Sequence, residues 1–276
     1  MSIKYAYLGP AGTFTEAALI KISEKNDQLI AYANVTAALN AVRVGECQKA
    51  LVPIENSVEG VVARTLDELA IGDPLVITAE TTLPVSFSLM SLDKTDPKEI
   101  KSIATHPHAE AQCRSYIAKN FPNAQLIETS STAAAAKGLS KGDYEAAIAA
   151  PIAATNYGLK VLAQNIGDNQ GAVTRFVVVE KPGQTPLATG KDRTSLAVFI
   201  DIDHAGALLE ILNEFAKHQI NLTFIQSRPT GIELGHYHFI IDAEGHIDEP
   251  GISAVLVGLK QICDDIRFLG SYPQAK

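Results

Sequence analysis

The stretch GDNQGAVTRFVVV, at residues 167–179, decides how the rest of the fold is interpreted. Polar and glycine-rich residues lead into Thr174 and Arg175, and the apolar run 176–179 follows at once. β-Branched and aromatic residues in such a run predict a buried strand. A hydroxyl and a permanent cation therefore stand at the start of a buried strand, where a rigid element holds side chains supplied by a loop. The same pattern also fits a strand entry followed by a surface arginine.

Composition restricts the class of protein. The chain has 276 residues, a length typical of about two domains, and 46% of them are hydrophobic. A net charge of −8 argues against non-specific nucleic-acid binding. No segment has the pattern of a signal peptide or a membrane span. The three cysteines form no CxxC pair, which favours a reducing compartment. We therefore predict a cytoplasmic protein with neither nucleic acid nor membrane as a partner.

Strands and helices alternate in the first 181 residues, which predicts parallel sheets covered by helices. A strand at 4–8 leads to a glycine loop and then to a helix that begins near Thr13, with Glu16 at capping-box spacing. The same strand, turn and helix design recurs at 105–120, where a single helix is predicted for 109–120. We predict two parallel α/β lobes, lobe 1 at about 1–78 and 160–181 and lobe 2 at about 79–159.

Polar residues cluster where the predicted strands end, which is where such sheets bind ligands. The loops concerned are 9–13, 55–57, 105–108 and 130–132. Asn56 and Ser57 also fit as caps of a helix predicted from 61 to 70. Glu55 fits less well, because a carboxylate directly after an apolar strand is costly unless it is exposed or paired.

Neither a metal nor a cofactor is predicted. The loop 9–12 lacks the G-x-G-x-x-G pattern of a dinucleotide site, and Gly190 and Lys191 lack the rest of a phosphate loop. The pairs HPH at 106–108 and HYH at 236–238 place two imidazoles on one side of a strand, without an evident third ligand.

A linker at 182–193, rich in proline and glycine, precedes a second domain at 194–276. Its predicted order βαββαβ is that of the ferredoxin-like split unit, an α+β fold. No group of residues in it suits acid–base or nucleophilic chemistry, so a regulatory or dimerising role fits best.

Seven motifs then give the chain a family resemblance. They are GPAGTFTEAAL at 9–19, PIENSVEG at 53–60, HPHAEAQC at 106–113, STAAAAK at 131–137, TRF at 174–176, HAGALLEILNEFA at 204–216 and NLTFIQSRP at 221–229. Residues 1–181 resemble the prephenate dehydratase family, and 194–276 are similar to its ACT domain. No segment resembles a chorismate mutase, so a monofunctional chain is expected.

The resemblance implies a bilobal, periplasmic-binding-protein-like catalytic domain that converts prephenate to phenylpyruvate in L-phenylalanine biosynthesis. It also implies feedback by L-phenylalanine, bound between the ACT domains of a homodimer or homotetramer. The family's catalytic residues map onto Thr174, Glu55 and Asn56, and its Ser-Thr turn maps onto Ser131 and Thr132. The expected effector contacts are Gly206, Ala207, Leu208, Asn221, Leu222, Gln226, Ser227 and Arg228.

Chemical reasoning adds roles to these residues. Thr174 is expected to donate to the departing hydroxyl, with Glu55 or His106 as proton relay, because a threonine alone is too weak an acid. Arg175 and the helix N-termini near Thr13, Ser57 and Thr132 are expected to bind the pyruvyl carboxylate. The apolar Phe176 is expected to face the ring carboxylate.

Two positions depart from the family pattern, and two other functions fit the sequence. Ala172 replaces a common asparagine, so that either an amide contact is missing or Asn169 or Gln170 substitutes for it, and Gln226 replaces a glutamate. An arogenate dehydratase, and an amino-acid sensor without catalytic activity, remain the alternative interpretations. The simultaneous presence of Glu55, Asn56 and Thr174 favours an enzyme over a sensor.

Overall fold

The computed structural model describes residues 2–93, 95–200, 204–231 and 237–275, so His236 of the HYH pair lies outside them. The chain divides into two compact units, each assembled from several segments. Unit 1 comprises Met1–Ala38, Leu51–Val62 and Thr82–Phe176, and unit 2 comprises Leu39–Ala50, Ala63–Thr81 and Val177–Lys276. The mixed α/β architecture that the sequence predicts is confirmed.

The first sheet contains the strand that the TRF motif opens. Its strands are β1 (Lys4–Leu8), β2 (Gln28–Tyr32), β3 (Lys49–Asn56), β4 (Gly60–Val61), β5 (Val76–Pro84) and β11 (Val173–Glu180). They follow the order β2-β1-β3-β11-β5, with β4 paired to β3. Buried residues occupy all of β11 between its first and last positions, as the apolar run predicts. Because β3 and β11 are neighbours, two of the family motifs meet at one edge of this sheet.

The second sheet is mixed rather than wholly parallel. It contains β6 (Ser88–Ser91), β7 (Ser102–Thr105), β8 (Gln125–Glu128), β9 (Ala146–Ala149) and β10 (Lys160–Ala163), in the order β10-β6-β9-β7-β8. β7 runs parallel to β8 and β9, as expected for a strand–helix repeat. β6 is antiparallel to both β9 and β10, because the chain enters this sheet through β6 and leaves it through β10.

Helices flank these two sheets at the predicted places, with two differences. They are α1 (Phe14–Ile22), α2 (Val35–Arg43), α3 (Ala63–Ala70), α4 (Pro107–Gln112), α5 (Arg114–Asn120), α6 (Thr132–Lys141) and α7 (Pro151–Tyr157). The single helix predicted for 109–120 is two helices, because Cys113 leaves helical geometry at φ −118° and ψ 12°. The helix predicted from 61 begins at Ala63, because Gly60 and Val61 pair with β3 instead.

The third sheet confirms the predicted βαββαβ order. It contains β12 (Asp192–Phe199), β13 (Leu222–Pro229), β14 (Tyr237–Glu244) and β15 (Asp265–Pro273), in the order β13-β14-β12-β15. α8 (Ala207–Lys217) and α9 (Pro250–Ile262) bury their apolar stripes against it. Asp192 and Arg193, expected at the end of the linker, already belong to β12. Among the described residues, no helix is long and apolar enough to cross a membrane.

Unit 2 also fixes α3 to this third sheet. The Arg228 guanidinium on β13 donates two hydrogen bonds, each of 2.8 Å, to the Asp67 carboxylate on α3. On β15, Gly270 has φ +144° and lies so close to the Ile77 backbone that a side chain would collide with it. A bidentate ion pair and a close backbone approach therefore hold elements from the predicted lobe 1 and from the C-terminal domain together.

Candidate active site

The predicted catalytic residues Asn56 and Thr174 are in direct contact. Asn56 is the last residue of β3, and its Nδ2 donates a 2.8 Å hydrogen bond to Thr174 Oγ1. Its Oδ1 accepts from the backbone N–H groups of Val58 and Glu59, at 2.8 and 2.9 Å. Since the amide oxygen is taken by two donors, the amide nitrogen must face the threonine. The Thr174 oxygen therefore accepts from Asn56, and its hydroxyl proton is available to a ligand.

Ser57 strengthens the junction of the two strands instead of capping a helix. Its backbone N–H donates to the Val173 carbonyl, and its Oγ accepts from the Val173 N–H, both at 2.9 Å. The two bonds fix Val173, and with it Thr174, against the turn after β3. The predicted role of Ser57 as a helix N-terminus for a substrate carboxylate finds no helix there, since α3 begins at Ala63.

Glu55 and Arg175 form a second pair on the other face of the same strands. Arg175 Nε lies 3.3 Å from Glu55 Oε2, and the Arg175 side chain is only 8% exposed. Side chains alternate along a strand, so residues directly beside Asn56 and Thr174 must point away from them. The ion pair gives the Glu55 carboxylate the partner that the sequence analysis found it to need after an apolar strand. It also separates Glu55 from Thr174, for which it was considered as a proton relay.

Two pockets in unit 1 open onto Thr174. The first, which we call the histidine pocket, has a volume of about 260 Å³ and includes Asn56, His106 and Thr174 in its lining. The second, the glycine-loop pocket, has a volume of about 400 Å³ and includes Gly9, Thr13 and Phe176. The residues that line both are Phe14, Ser130, Ser131, Thr132 and Thr174. Glu55, Ser57 and Arg175 line neither pocket.

Two helix N-termini supply positive potential at these pockets. Thr13 caps α1 by accepting from Glu16 N at 3.3 Å, and Ser131 caps α6 by accepting from Ala134 N at 3.0 Å. The predicted capping box is half formed, because the Glu16 carboxylate accepts from Gly12 N rather than from Thr13 N. Unpaired N–H groups at a helix start favour anions, so both ends suit a carboxylate.

His106 lines the histidine pocket as a neutral hydrogen-bond donor. It is the N-cap of α4, and its Nδ1 accepts from His108 N at 3.3 Å. Nδ1 is therefore unprotonated, and the proton of the neutral ring lies on Nε2. Burial lowers the pKa of His106 below 6.5, and the charge of His108 lowers it further, against the opposing effect of Glu59 and Glu128. At neutral pH the ring offers an N–H without a positive charge.

A set of contacts beside the histidine pocket was not predicted from the sequence. Gln112 Nε2 donates to Glu59 Oε1 at 2.7 Å, and His108 Nδ1 lies 3.3 Å from Glu59 Oε2. Positions 108 and 112 share one face of α4, so their spacing was a usable signal. Their partner Glu59 lies 53 positions from Gln112 along the chain, and nothing in the local sequence indicates the contact.

The loop before the TRF motif does not replace the missing asparagine. Ala172 is buried, and its carbonyl accepts from Val85 N at 2.7 Å. Asn169 Oδ1 accepts from Gly171 N, and Gln170 Nε2 donates to the carbonyls of Asn165 and Gly167. Both amides therefore stabilise their own loop, and neither lines the two pockets.

The predicted effector residues lie on α8 and β13 in unit 2. Gly206 is the N-cap of α8, Ala207 and Leu208 begin that helix, and Asn221 precedes β13. Gln226 Nε2 donates to the Ser227 carbonyl at 2.9 Å. Arg228 is held by Asp67, and this partner had no signal in the sequence because it is distant along the chain. Within the described part of the chain, no cluster of three or more histidine, cysteine or acidic residues is arranged to hold a metal.

The fold and this site together define a class. An α/β unit carries a threonine–asparagine pair between two pockets, and a βαββαβ regulatory-type domain follows in the sequence. The prephenate dehydratase family model matches residues 5–184, and the ACT domain model matches 194–259. The chain belongs to the prephenate dehydratase family and carries a C-terminal ACT domain.

Individual proteins are also similar to this chain, and the two with the higher identities below are prephenate dehydratases. A prephenate dehydratase of Amycolatopsis methanolica is 46% identical over 99% of this chain and 89% of its own length. The crystal structure of a prephenate dehydratase from Arthrobacter aurescens in complex with L-Phe is 49% identical, with a TM-score of 0.93 over 98% of this chain and 90% of that one. The quorum quenching acylase GqqA is 25% identical, with a TM-score of 0.87 over 98% of both chains.

The amide nitrogen of Asn56 can be tested without removing the hydrogen bonds that its amide oxygen accepts in the turn after β3. Asn56→Asp keeps an oxygen for the N–H groups of Val58 and Glu59 but removes the donor to Thr174. We expect kcat to fall about a hundredfold while the thermal midpoint changes little, because one oriented donor is worth roughly that factor. Asn34→Asp is the matched control, since the side-chain oxygen of Asn34 also accepts from a backbone N–H, that of Ala37, and Asn34 lines neither pocket. Equal activities of the two variants would contradict this role.

The neutral state of His106 predicts the acid limb of the pH profile. Because its pKa is lowered, the ring stays neutral as pH falls through 6.5 and gains its proton only below that value. Protonation occupies Nδ1, which breaks the bond from His108 N and places a charge in the pocket. We expect kcat/KM to be constant down to about the ordinary histidine value and to fall below it. In His106→Asn this limb should disappear, and a limb that persists in the variant would assign it to another group.

Proposed function

We propose that this protein dehydrates and decarboxylates prephenate to phenylpyruvate, with Thr174 as the donor to the departing hydroxyl. The hydrogen bond from Asn56 to Thr174 is the observation that carries the proposal, because it leaves the hydroxyl proton of a buried threonine that lines both pockets available to a ligand. We assign catalysis to residues 1–181, with lobes as the sequence predicts, the linker to 182–193 and regulation to 194–276. The proposed location is the cytoplasm.

The reaction needs help at one bond only. As the C4–oxygen bond breaks, the oxygen takes the electron pair and a proton and leaves as water. The bond to the ring carboxylate supplies a new pair to the ring, carbon dioxide departs, and the ring becomes aromatic. The enzyme must therefore stabilise charge at the leaving oxygen, which an oriented donor does well in a pocket that excludes water.

The proton that reaches the leaving oxygen comes from water and is relayed through the Thr174 hydroxyl, while the neutral His106 ring, too weak an acid to give up its Nε2 proton, donates a hydrogen bond to the same oxygen. Both line the histidine pocket, and the neutral His106 ring carries its proton on Nε2. Glu55 is less suited than the sequence suggested, because it is paired with Arg175 on the opposite face of the strands. We therefore place Glu55 and Arg175 as a pair that keeps β3 and β11 in register, behind the residues that contact substrate.

Substrate carboxylates are proposed to bind at the helix N-termini. Thr13 begins α1 beside the glycine-loop pocket, and Ser131 with Thr132 begins α6 between the two pockets. Phe176, 1% exposed and in the glycine-loop pocket, offers an apolar surface to the carboxylate that is lost. An acidic protein needs such local donors to hold a dianion.

The decisive experiment measures product from purified protein incubated with prephenate or arogenate. We expect phenylpyruvate from prephenate. Thr174→Val should lower kcat by about a hundred- to a thousandfold, because it removes the hydroxyl and keeps the shape. Thr174→Ser keeps the hydroxyl and should retain more activity than the valine variant. Intact folding of both variants is checked by circular dichroism.

Each other outcome favours a different function. Product from arogenate alone would favour an arogenate dehydratase, and product from neither substrate would favour an amino-acid sensor. Because the neighbour GqqA is a quorum quenching acylase, acylase activity belongs in the same assay. Wild-type turnover in Thr174→Val would remove Thr174 from the mechanism.

For regulation, we propose that L-phenylalanine binds at the starts of α8 and β13, in a homodimer or homotetramer formed through the ACT domains. A relative with 49% identity was crystallised in complex with L-Phe, which supports this effector. The proposed contacts are Gly206, Ala207, Leu208, Asn221, Leu222, Gln226 and Ser227. Arg228 acts differently from the expectation of direct effector contact, because its guanidinium is engaged by Asp67 on α3.

The Arg228–Asp67 pair is then the link by which an effector on β13 reaches α3. Asp67→Asn should leave L-phenylalanine binding measurable by calorimetry, while the change in kcat/KM at saturating L-phenylalanine shrinks about fivefold or more. Asp73→Asn, an exposed carboxylate in the same segment, is the matched control. An Asp67→Asn enzyme with the wild-type response would show that the signal bypasses this pair.

A further inference from the structure

Glu59 joins the two sides of the histidine pocket. It lies in the turn between β3 and β4, three residues after Asn56 in the PIENSVEG motif. Its Oε1 accepts from Gln112 Nε2 at 2.7 Å, and its Oε2 lies 3.3 Å from His108 Nδ1. Both partners belong to α4, which follows β7 of the second sheet. One carboxylate from the first sheet therefore bridges two side chains on a helix of the second.

At each end, the Glu59 bridge is connected to a residue that lines the histidine pocket. Asn56 holds Thr174 with its amide nitrogen and holds the backbone of Glu59 with its amide oxygen. On the far side, His106 caps the same short helix that carries His108 and Gln112. A shift of α4 away from the turn would therefore change the separation of His106 and Thr174, which line one pocket.

The negative charge of Glu59 lies close to a pocket that is proposed to bind a dianionic substrate, where it is electrostatically unfavourable. A dianionic substrate is repelled by a nearby carboxylate, and the protein is already acidic at a net charge of −8. Gln112 and His108 line the histidine pocket while Glu59 does not, so the carboxylate is placed behind the groups that it binds. Its side chain is 34% exposed and that of His108 is 66% exposed, so the contact adds little to stability.

We propose that Glu59 is a positioning residue, which fixes α4, and through it His106, at the distance from Thr174 that the dehydration requires. The proposal rests on the proposed function. Glu59 contacts no reacting atom and acts through Gln112 and His108. Small displacements of catalytic groups cost a large part of the rate, so a contact that is weak in stability becomes significant in kcat.

A double-mutant cycle tests this coupling. Glu59→Ala and Gln112→Ala should each lower kcat about tenfold, with KM changed less than about twofold, and the double variant should be no slower than either. Glu59→Gln should keep kcat within about threefold, because its amide oxygen still accepts from Gln112. Glu110→Ala is the matched control, since Glu110 lies on the same helix, contacts Arg114 and lines neither pocket. Its kcat should stay at the wild-type value.

Hydrogen exchange supplies a readout that does not depend on turnover. The amides of 106–113 should exchange faster in Glu59→Ala and in Gln112→Ala by the same factor, and at the wild-type rate in Glu110→Ala. If the wild-type protein acted on neither prephenate nor arogenate, the proposed function would fail, while the exchange data would still test the bridge. Multiplicative losses of kcat in the double variant, or unchanged exchange in Glu59→Ala, would overturn the positioning role.

Discussion

The alternation of side chains along two adjacent strands is the constraint on which the site depends. β3 ends in Glu55 and Asn56, and β11 begins with Thr174 and Arg175 after Val173. Because successive side chains point to opposite faces, the four polar residues separate into two pairs. Asn56 and Thr174 meet at the pockets, and Glu55 meets Arg175 behind them. A register shift of one residue would turn the side chains of the shifted strand to the opposite face and break both pairs.

The two bonds between Ser57 and Val173 fix that register. They take up the backbone groups of the residue before Thr174, so the threonine cannot slide along β3. This register places the charged and the neutral side chains on opposite faces of β3 and β11. The charged residues lie on one face, where the buried Arg175 guanidinium has the Glu55 carboxylate as a partner. Neutral donors are left on the other face, where they do not neutralise the helix N-termini that suit carboxylates. An acidic protein can thus present a locally favourable site to an anion.

Within unit 2, two close contacts connect the third sheet to α3 and to β5. A bidentate arginine–carboxylate pair is strong and directional, and Arg228 makes one with Asp67. The close approach of Gly270 to Ile77 leaves no room for a side chain between them. A change in β13 therefore has a stiff route to α3, which a loose surface contact would not provide.

The sequence by itself determined much of this protein. Its local patterns include the apolar run after Thr174, the alternation of strands and helices and the βαββαβ order, and the structure confirmed them. The family models confirmed the resemblance that the motifs indicated. What only the tertiary structure decided are relations between distant segments. The pairing of Glu55 with Arg175, of Glu59 with Gln112 and of Arg228 with Asp67 joins residues that are 53 or more positions apart. Local propensity carries no information about such partners, because strand neighbours and helix docking are set by how whole elements pack. The motif at 174–176 predicted a site, and the packing of β3 against β11 decided which of its residues line the pockets.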